Sequence, residues 1–182
     1  MKKYVVSYLF LIIILFNLMT GCLDSSDDDE GDNFIFNTLE GDTKQLIDYR
    51  GKIVILDLWA TWCSPCQFQM TELKKIYENY SRNDLEIISV DIDPREDVEL
   101  IQSFRYWFNE TIGIELDWIF GMDNGSISEK YMKEGAIPTL CIFDKKGKLS
   151  FREAGVSVYL EIPPGLPANT TILAPIINRL ID

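Results

Sequence analysis

Two cysteines at a spacing of three, Cys63-Ser64-Pro65-Cys66, are the residues of this 182-residue chain best suited to chemistry. They follow an apolar run, Ile53-Val54-Ile55-Leu56, and precede a segment with helical periodicity. Cys63 is therefore predicted at a helix N-terminus, where unpaired backbone N–H groups and the positive end of the helix dipole favour a thiolate. A thiolate attacks disulfides, and a second thiol one helical turn further in, Cys66, is placed to resolve the mixed disulfide and release the product. Cys63 is the expected exposed nucleophile and Cys66 the more sheltered resolving group. The chain has no histidine. That excludes Cys/His and Ser/His nucleophilic pairs, haem attachment through a C-x-x-C-H sequence, and zinc sites built on imidazole.

Asp57 lies six residues before Cys63 in an otherwise apolar strand sequence. An unpaired buried carboxylate is costly unless its pKa rises, and a carboxyl so raised can accept a proton near neutrality. Asp57 is thus a candidate proton acceptor, the alternative being a structural pair or a position at a strand edge. Trp59 reads as core. Cys141, on an apolar strand, reads as a buried inert thiol. Ser64, Pro65 and Asp57 do not decide whether the couple reduces, oxidises or isomerises disulfides, since potential depends on the relative stability of thiolate and disulfide.

The elements that must position these groups follow from periodicity. Strands are predicted at 34–36, 52–59, 86–91, 139–143 and 148–153, the last two flanking a Lys145-Lys146-Gly147 hairpin turn. Helices are predicted over 65–80, burying Phe68, Leu73, Ile76 and Tyr77, and over 96–108, burying Val98, Ile101, Phe104 and Phe108. A shorter helix is expected at 126–133 and a last one at 172–180, with Pro175 tolerable in its first turn. Alternating strands and helices with a closing hairpin indicate an α/β domain, a mixed central sheet with helices on both faces.

Lys2-Lys3 followed by an apolar run from Tyr4 to Leu18 has the positive start and hydrophobic centre of a secretory signal. The expected division is a lipoprotein-type signal over 1–21, an acidic flexible tether over 22–33 and one domain over 34–182. An uncleaved membrane helix is the alternative for the first segment, and either way the protein is tethered outside the cytoplasm, at the cell surface or in the periplasm. The net charge of −12 repels phosphate backbones, so no nucleic-acid partner is expected, and it disfavours self-association, so a monomer is. Four Asn-x-Ser/Thr sequons occur, at Asn79, Asn109, Asn124 and Asn169. Composition alone would give about one, and an exported domain could carry glycans there.

The segment Ile55-Leu56-Asp57-Leu58-Trp59-Ala60-Thr61-Trp62-Cys63-Ser64-Pro65-Cys66 resembles the active-site segment of thioredoxins, and specifically of the membrane-tethered TlpA/ResA-like disulfide reductases. The similarity runs from Phe34 through Leu39-Glu40-Gly41 and Asp48-Tyr49-Arg50-Gly51-Lys52 to about Gly155. It implies a thioredoxin-like fold with no cofactor beyond the Cys63/Cys66 couple, disulfides of exported proteins as substrates, and a membrane thiol as electron donor. It also implies that Ile137-Pro138 forms a cis-proline loop beside the cysteines, with the Ile137 backbone and Trp62 contacting bound peptide, and that Asp57 takes the proton of Cys66 through water. Leu18-Met19-Thr20-Gly21-Cys22 resembles a lipobox, which would make Cys22 the lipid anchor, although Met19 stands where Leu is usual.

Two positions depart from the ResA-like pattern. Gln69 replaces a frequent Glu and Thr71 a usual Pro, so acid–base work falls to Asp57 and an assignment to cytochrome maturation is weakened. The related peroxiredoxins carry Thr three residues before their reactive cysteine, where this chain has Ala60 relative to Cys63. A soft-metal carrier using two thiolates is a non-enzymatic alternative, opposed by Pro138, which in the family occupies the side a metal would approach.

Overall fold

The computed structural model describes residues 31–181. The apolar run 4–18, Cys22 and most of the acidic stretch lie outside them. No helix among the described residues is long and apolar enough to cross a membrane.

The fold is organised around β3 (Ile53–Trp59), in which all seven residues are buried. β4 (Leu85–Asp91) lies parallel on one side of it and β6 (Thr139–Phe143) antiparallel on the other. β5 (Ile119–Met122) continues the sheet parallel to β4, and β1 (Ile35–Thr38) and β2 (Thr43–Gln45) extend it antiparallel. β7 (Leu149–Ala154) closes the opposite edge as the hairpin partner of β6. The order β2-β1-β5-β4-β3-β6-β7 is a seven-stranded mixed sheet.

Alternation along β3 divides the interior in two. Ile53, Ile55 and Trp59 face one layer, with Met70, Leu73 and Ile76 of α1 (Ser64–Asn79), Ile101, Phe104 and Phe108 of α2 (Val98–Ile112), and Ile177 of α4 (Ala174–Ile181). Val54, Leu56 and Leu58 face the other, with Phe34, Phe36, Phe143 and, from α3 (Ser126–Tyr131), Ile127 and Tyr131. Helices therefore cover both faces, and Pro175 sits in the first turn of α4 as its ring requires.

Several expectations shift. The buried stripe of α1 runs through Cys66, Gln69, Met70, Glu72, Leu73 and Ile76, and Phe68 is only half-buried. Two polar side chains belong to that stripe because each has a backbone donor to satisfy. β2 and β5 were not predicted: β2 is a polar edge, and β5 contains Gly121, whose lack of a side chain lets β1 approach. A Cβ there would stand 2.5 Å from the Phe36 ring and 2.7 Å from the Asn37 carbonyl. The end of the acidic stretch is also held down, not loose. Asp32 donates its N–H to the Gly147 carbonyl at 2.8 Å and pairs with Lys130. The four sequon asparagines are all exposed.

Candidate active site

The peptide leaves β3 at Trp59, turns through Ala60, Thr61 and Trp62, and enters α1 at Cys63. Cys63 is the N-cap of that helix, and its Sγ accepts the Cys66 N–H at 3.2 Å. Pro65 occupies the first turn, where its missing N–H has no intrahelical carbonyl to bond. Cys63 and Cys66 are joined as a disulfide. The two sulfurs are thus brought together at the positive end of a four-turn helix. Cys66 is fully buried and Cys63 only 4% exposed, so the nucleophile is less open than expected, because it packs in the same apolar layer as Trp59 and Cys66.

Asp57 shares the strand parity of Ile55 and Trp59 and therefore lies on the face that α1 covers. Its side chain is wholly buried. Oδ2 accepts the Ser89 hydroxyl at 2.8 Å, and among the described residues Oδ1 has no partner. Ser89 in turn accepts the Trp118 indole N–H at 2.9 Å. Among the described residues no cation compensates the carboxylate, and burial pushes the Asp57 pKa from 3.8 up to about 7, with the Ser89 hydrogen bond opposing only part of the rise. Asp57 is therefore not at a strand edge, and its one structural partner is the Ser89 hydroxyl.

Ile137-Pro138 is a cis peptide bond. Pro138 is buried, and its carbonyl accepts the Gly155 N–H at 2.7 Å. Ile137 is half-buried in a bend just before β6, and among the described residues its own N–H and carbonyl make no backbone hydrogen bond. Trp62 is 60% exposed, with its indole N–H donated to Asp93 Oδ2 at 2.8 Å. Cys141 is buried within β6, and burial pushes its thiol up to about 12. Cys22 lies outside the described residues.

Sequence reasoning missed the groups behind these. Ser89 and Trp118 were not singled out, though Ser89 is a wholly buried polar residue inside an apolar strand. Asp93 and Glu96 were also missed. Their signal was topological: β3 and β4 are parallel neighbours with Trp59 opposite Asp91, so the segments that follow both strands open onto the same sheet edge. Gln69, which cannot titrate, accepts the Ser157 N–H through Oε1 at 2.8 Å, and Glu72 accepts the Tyr159 N–H at 2.9 Å. Together they strap the segment after β7 onto α1.

Comparison with known proteins agrees with this geometry. The model of the AhpC/TSA family matches residues 28–152. The thiol-disulfide oxidoreductase ResA of Geobacillus thermodenitrificans is 34% identical over 118 residues, 64% of this chain and 63% of that protein. The match thus spans less than two thirds of that relative. The structure of an exposed lipoprotein thioredoxin from Streptococcus pneumoniae is similar at TM-score 0.53 and 27% identity, covering 68% of this chain and 90% of that one. A thiol-disulfide isomerase from Corynebacterium glutamicum superposes at TM-score 0.62 with 16% identity over 85% of this chain and 98% of its own, a likeness of fold alone. The fold is thioredoxin-like.

Proposed function

The chain belongs to the AhpC/TSA family, and from that premise we propose that it is a thiol-disulfide oxidoreductase that reduces disulfides of exported proteins through Cys63 and Cys66. The observation that carries the reading is the cysteine pair spanning the first turn of α1, with the buried carboxyl of Asp57 on the same face of the sheet. In the reduced enzyme the Cys63 thiolate, stabilised at the helix N-terminus, attacks one sulfur of a substrate disulfide. The substrate S–S bond breaks, a mixed disulfide forms on Cys63, and the second substrate sulfur leaves and is protonated. Asp57 then takes the Cys66 proton, Cys66 attacks the Cys63 sulfur, and the Cys63–Cys66 bond forms as the substrate dithiol departs. Two electrons pass from enzyme to substrate. A membrane thiol donor returns them by the reverse exchange. The backbone of Ile137 and the exposed face of Trp62 hold the peptide around the scissile disulfide.

The site in the cell follows from the leader. The 4–18 apolar run and Cys22 support a lipid-anchored protein facing outward with a domain beginning near residue 34, and the similar pneumococcal protein, an exposed lipoprotein, points the same way. Loss of detergent-phase partitioning in Cys22→Ala, with the domain still folded, is the expected result. Unchanged partitioning would favour an uncleaved helix.

The deciding experiment is insulin reduction together with equilibration in glutathione redox buffers. Reductase action predicts insulin precipitation that disappears in Cys63→Ser, and a potential well below about −200 mV. A potential close to the roughly −120 mV of strong oxidants would reverse the direction of flow.

A further inference from the structure

The turn that delivers Cys63 to α1 is gripped from outside by the connection between β4 and α2. Glu96 takes Thr61 with both carboxyl oxygens: Oε2 accepts the backbone N–H at 3.1 Å and Oε1 the hydroxyl at 2.7 Å. Glu96 is only 7% exposed. Its neighbour Arg95 does not neutralise it, since the guanidinium turns to Asp93 at 2.8 and 2.5 Å. Against Glu96 lies Asp91, 2% exposed, whose Oδ1 accepts the Asp93 N–H at 2.8 Å while Oδ2 has no donor among the described residues. Burial, first, and the neighbouring Glu96 carboxyl drive the Asp91 pKa upward. The other polar groups around this pair are Asp123, whose N–H goes to the Asp91 carbonyl at 2.8 Å, and Gln67 of α1, whose amide reaches the Thr61 carbonyl at 3.0 Å.

We propose that Glu96, seated against Asp91, is a positioning residue for the redox reaction: it clamps Thr61 so that the Cys63 sulfur meets the first N–H groups of α1. The clamp crosses from one strand end to the other, so it is a tertiary contact and not a property of the C-x-x-C turn. It rests on the thiol-disulfide reading for its purpose, but it can be tested on the thiol alone.

The test is the rate of Cys63 alkylation by iodoacetamide in the reduced full-length protein across pH, read by peptide mass mapping, for wild type, Glu96→Ala, Glu96→Gln and Thr61→Val. Both Glu96 variants remove the carboxyl group, but only glutamine keeps an oxygen to accept the Thr61 N–H, with its amide N–H turned to the Thr61 hydroxyl oxygen. Glu96→Ala should slow alkylation at pH 7 about tenfold, with its pH midpoint moved upward, while Glu96→Gln stays within about twofold of wild type. Adding Thr61→Val to Glu96→Ala should cost nothing more. Wild-type reactivity in Glu96→Ala, equal slowing in both Glu96 variants, or additive losses would each overturn the clamp. If Glu96→Ala does not fold, slowed Thr61→Val beside normal Glu96→Gln supports it and any other pattern refutes it. Should the wild type fail to reduce insulin while this pattern holds, the functional reading falls and the clamp stands.

Discussion

Ser89 stands directly opposite Asp57 in the parallel register of β3 and β4 and donates its hydroxyl to Oδ2 at 2.8 Å. The Trp118 indole N–H occupies the serine oxygen from the other side at 2.9 Å and so turns the hydroxyl proton toward the carboxyl. One neutral donor is too little to compensate a buried negative charge, which is why Asp57 titrates near 7 and is available as a base at neutral pH.

Replacing Asp57 with Asn should leave attack by Cys63 intact and slow the resolving step about 100-fold, the range usual for loss of a general base. Stopped-flow measurement of product thiol release separates the two steps. In the wild type that step should weaken as pH falls through about 7, where Asp57 is protonated; in the variant it should lose this dependence. Equal slowing of both steps would remove Asp57 from its role.

Stability should move in the opposite sense to activity. The folded pKa of about 7 exceeds the ordinary 3.8, so between those values the native state binds more protons than the unfolded chain, and stability falls as pH rises. The cost of the charge is absent below 3.8 and complete above about 7. Asp57→Asn should therefore gain stability relative to wild type on going from pH 4 to pH 8, by up to about 4 kcal/mol. Urea unfolding at the two pH values measures the difference.

Ser89→Ala removes the one group that lowers the Asp57 pKa. The pH at which the resolving rate is half-maximal should rise by up to about one unit, and the Trp118 N–H left without its acceptor should cost about 1–3 kcal/mol. A pH profile identical to that of the wild type would show that Ser89 does not tune Asp57.

Gln69 and Glu72 bind Ser157 and Tyr159 from a buried face of α1. Glu72→Ala leaves the Tyr159 N–H without its partner and should destabilise the protein by about 1–3 kcal/mol. Cleavage should then appear first in the irregular segment 160–170 during limited proteolysis. Gln69→Glu keeps an acceptor for Ser157 and should fold normally.

Cys141 has its thiol pushed up to about 12 by burial. In native, reduced protein it should resist iodoacetamide at pH 8 over the time in which Cys63 is consumed, and react only after denaturation. Peptide mapping distinguishes the two, and ready native modification would mean that β6 opens.

Sequence alone settled the local matters. The C-x-x-C spacing, the apolar run before it and the helical period after it determine that two sulfurs meet at a helix N-terminus, because each depends only on chain neighbours. The absence of histidine excluded whole classes of chemistry, and the lone aspartate in an apolar strand pointed to a raised pKa. Tertiary structure alone decided what surrounds these groups. Whether Asp57 finds a cation or only Ser89 depends on which strand lies beside β3. Whether Thr61 and Trp62 hang free or are held by Glu96 and Asp93 depends on the strand ends of β3 and β4 sharing an edge. Gln69 is a strap because the chain returns to α1 more than eighty residues later. Contacts of that range leave no period or spacing in the sequence, since the residues that make them are neighbours only in the packed fold.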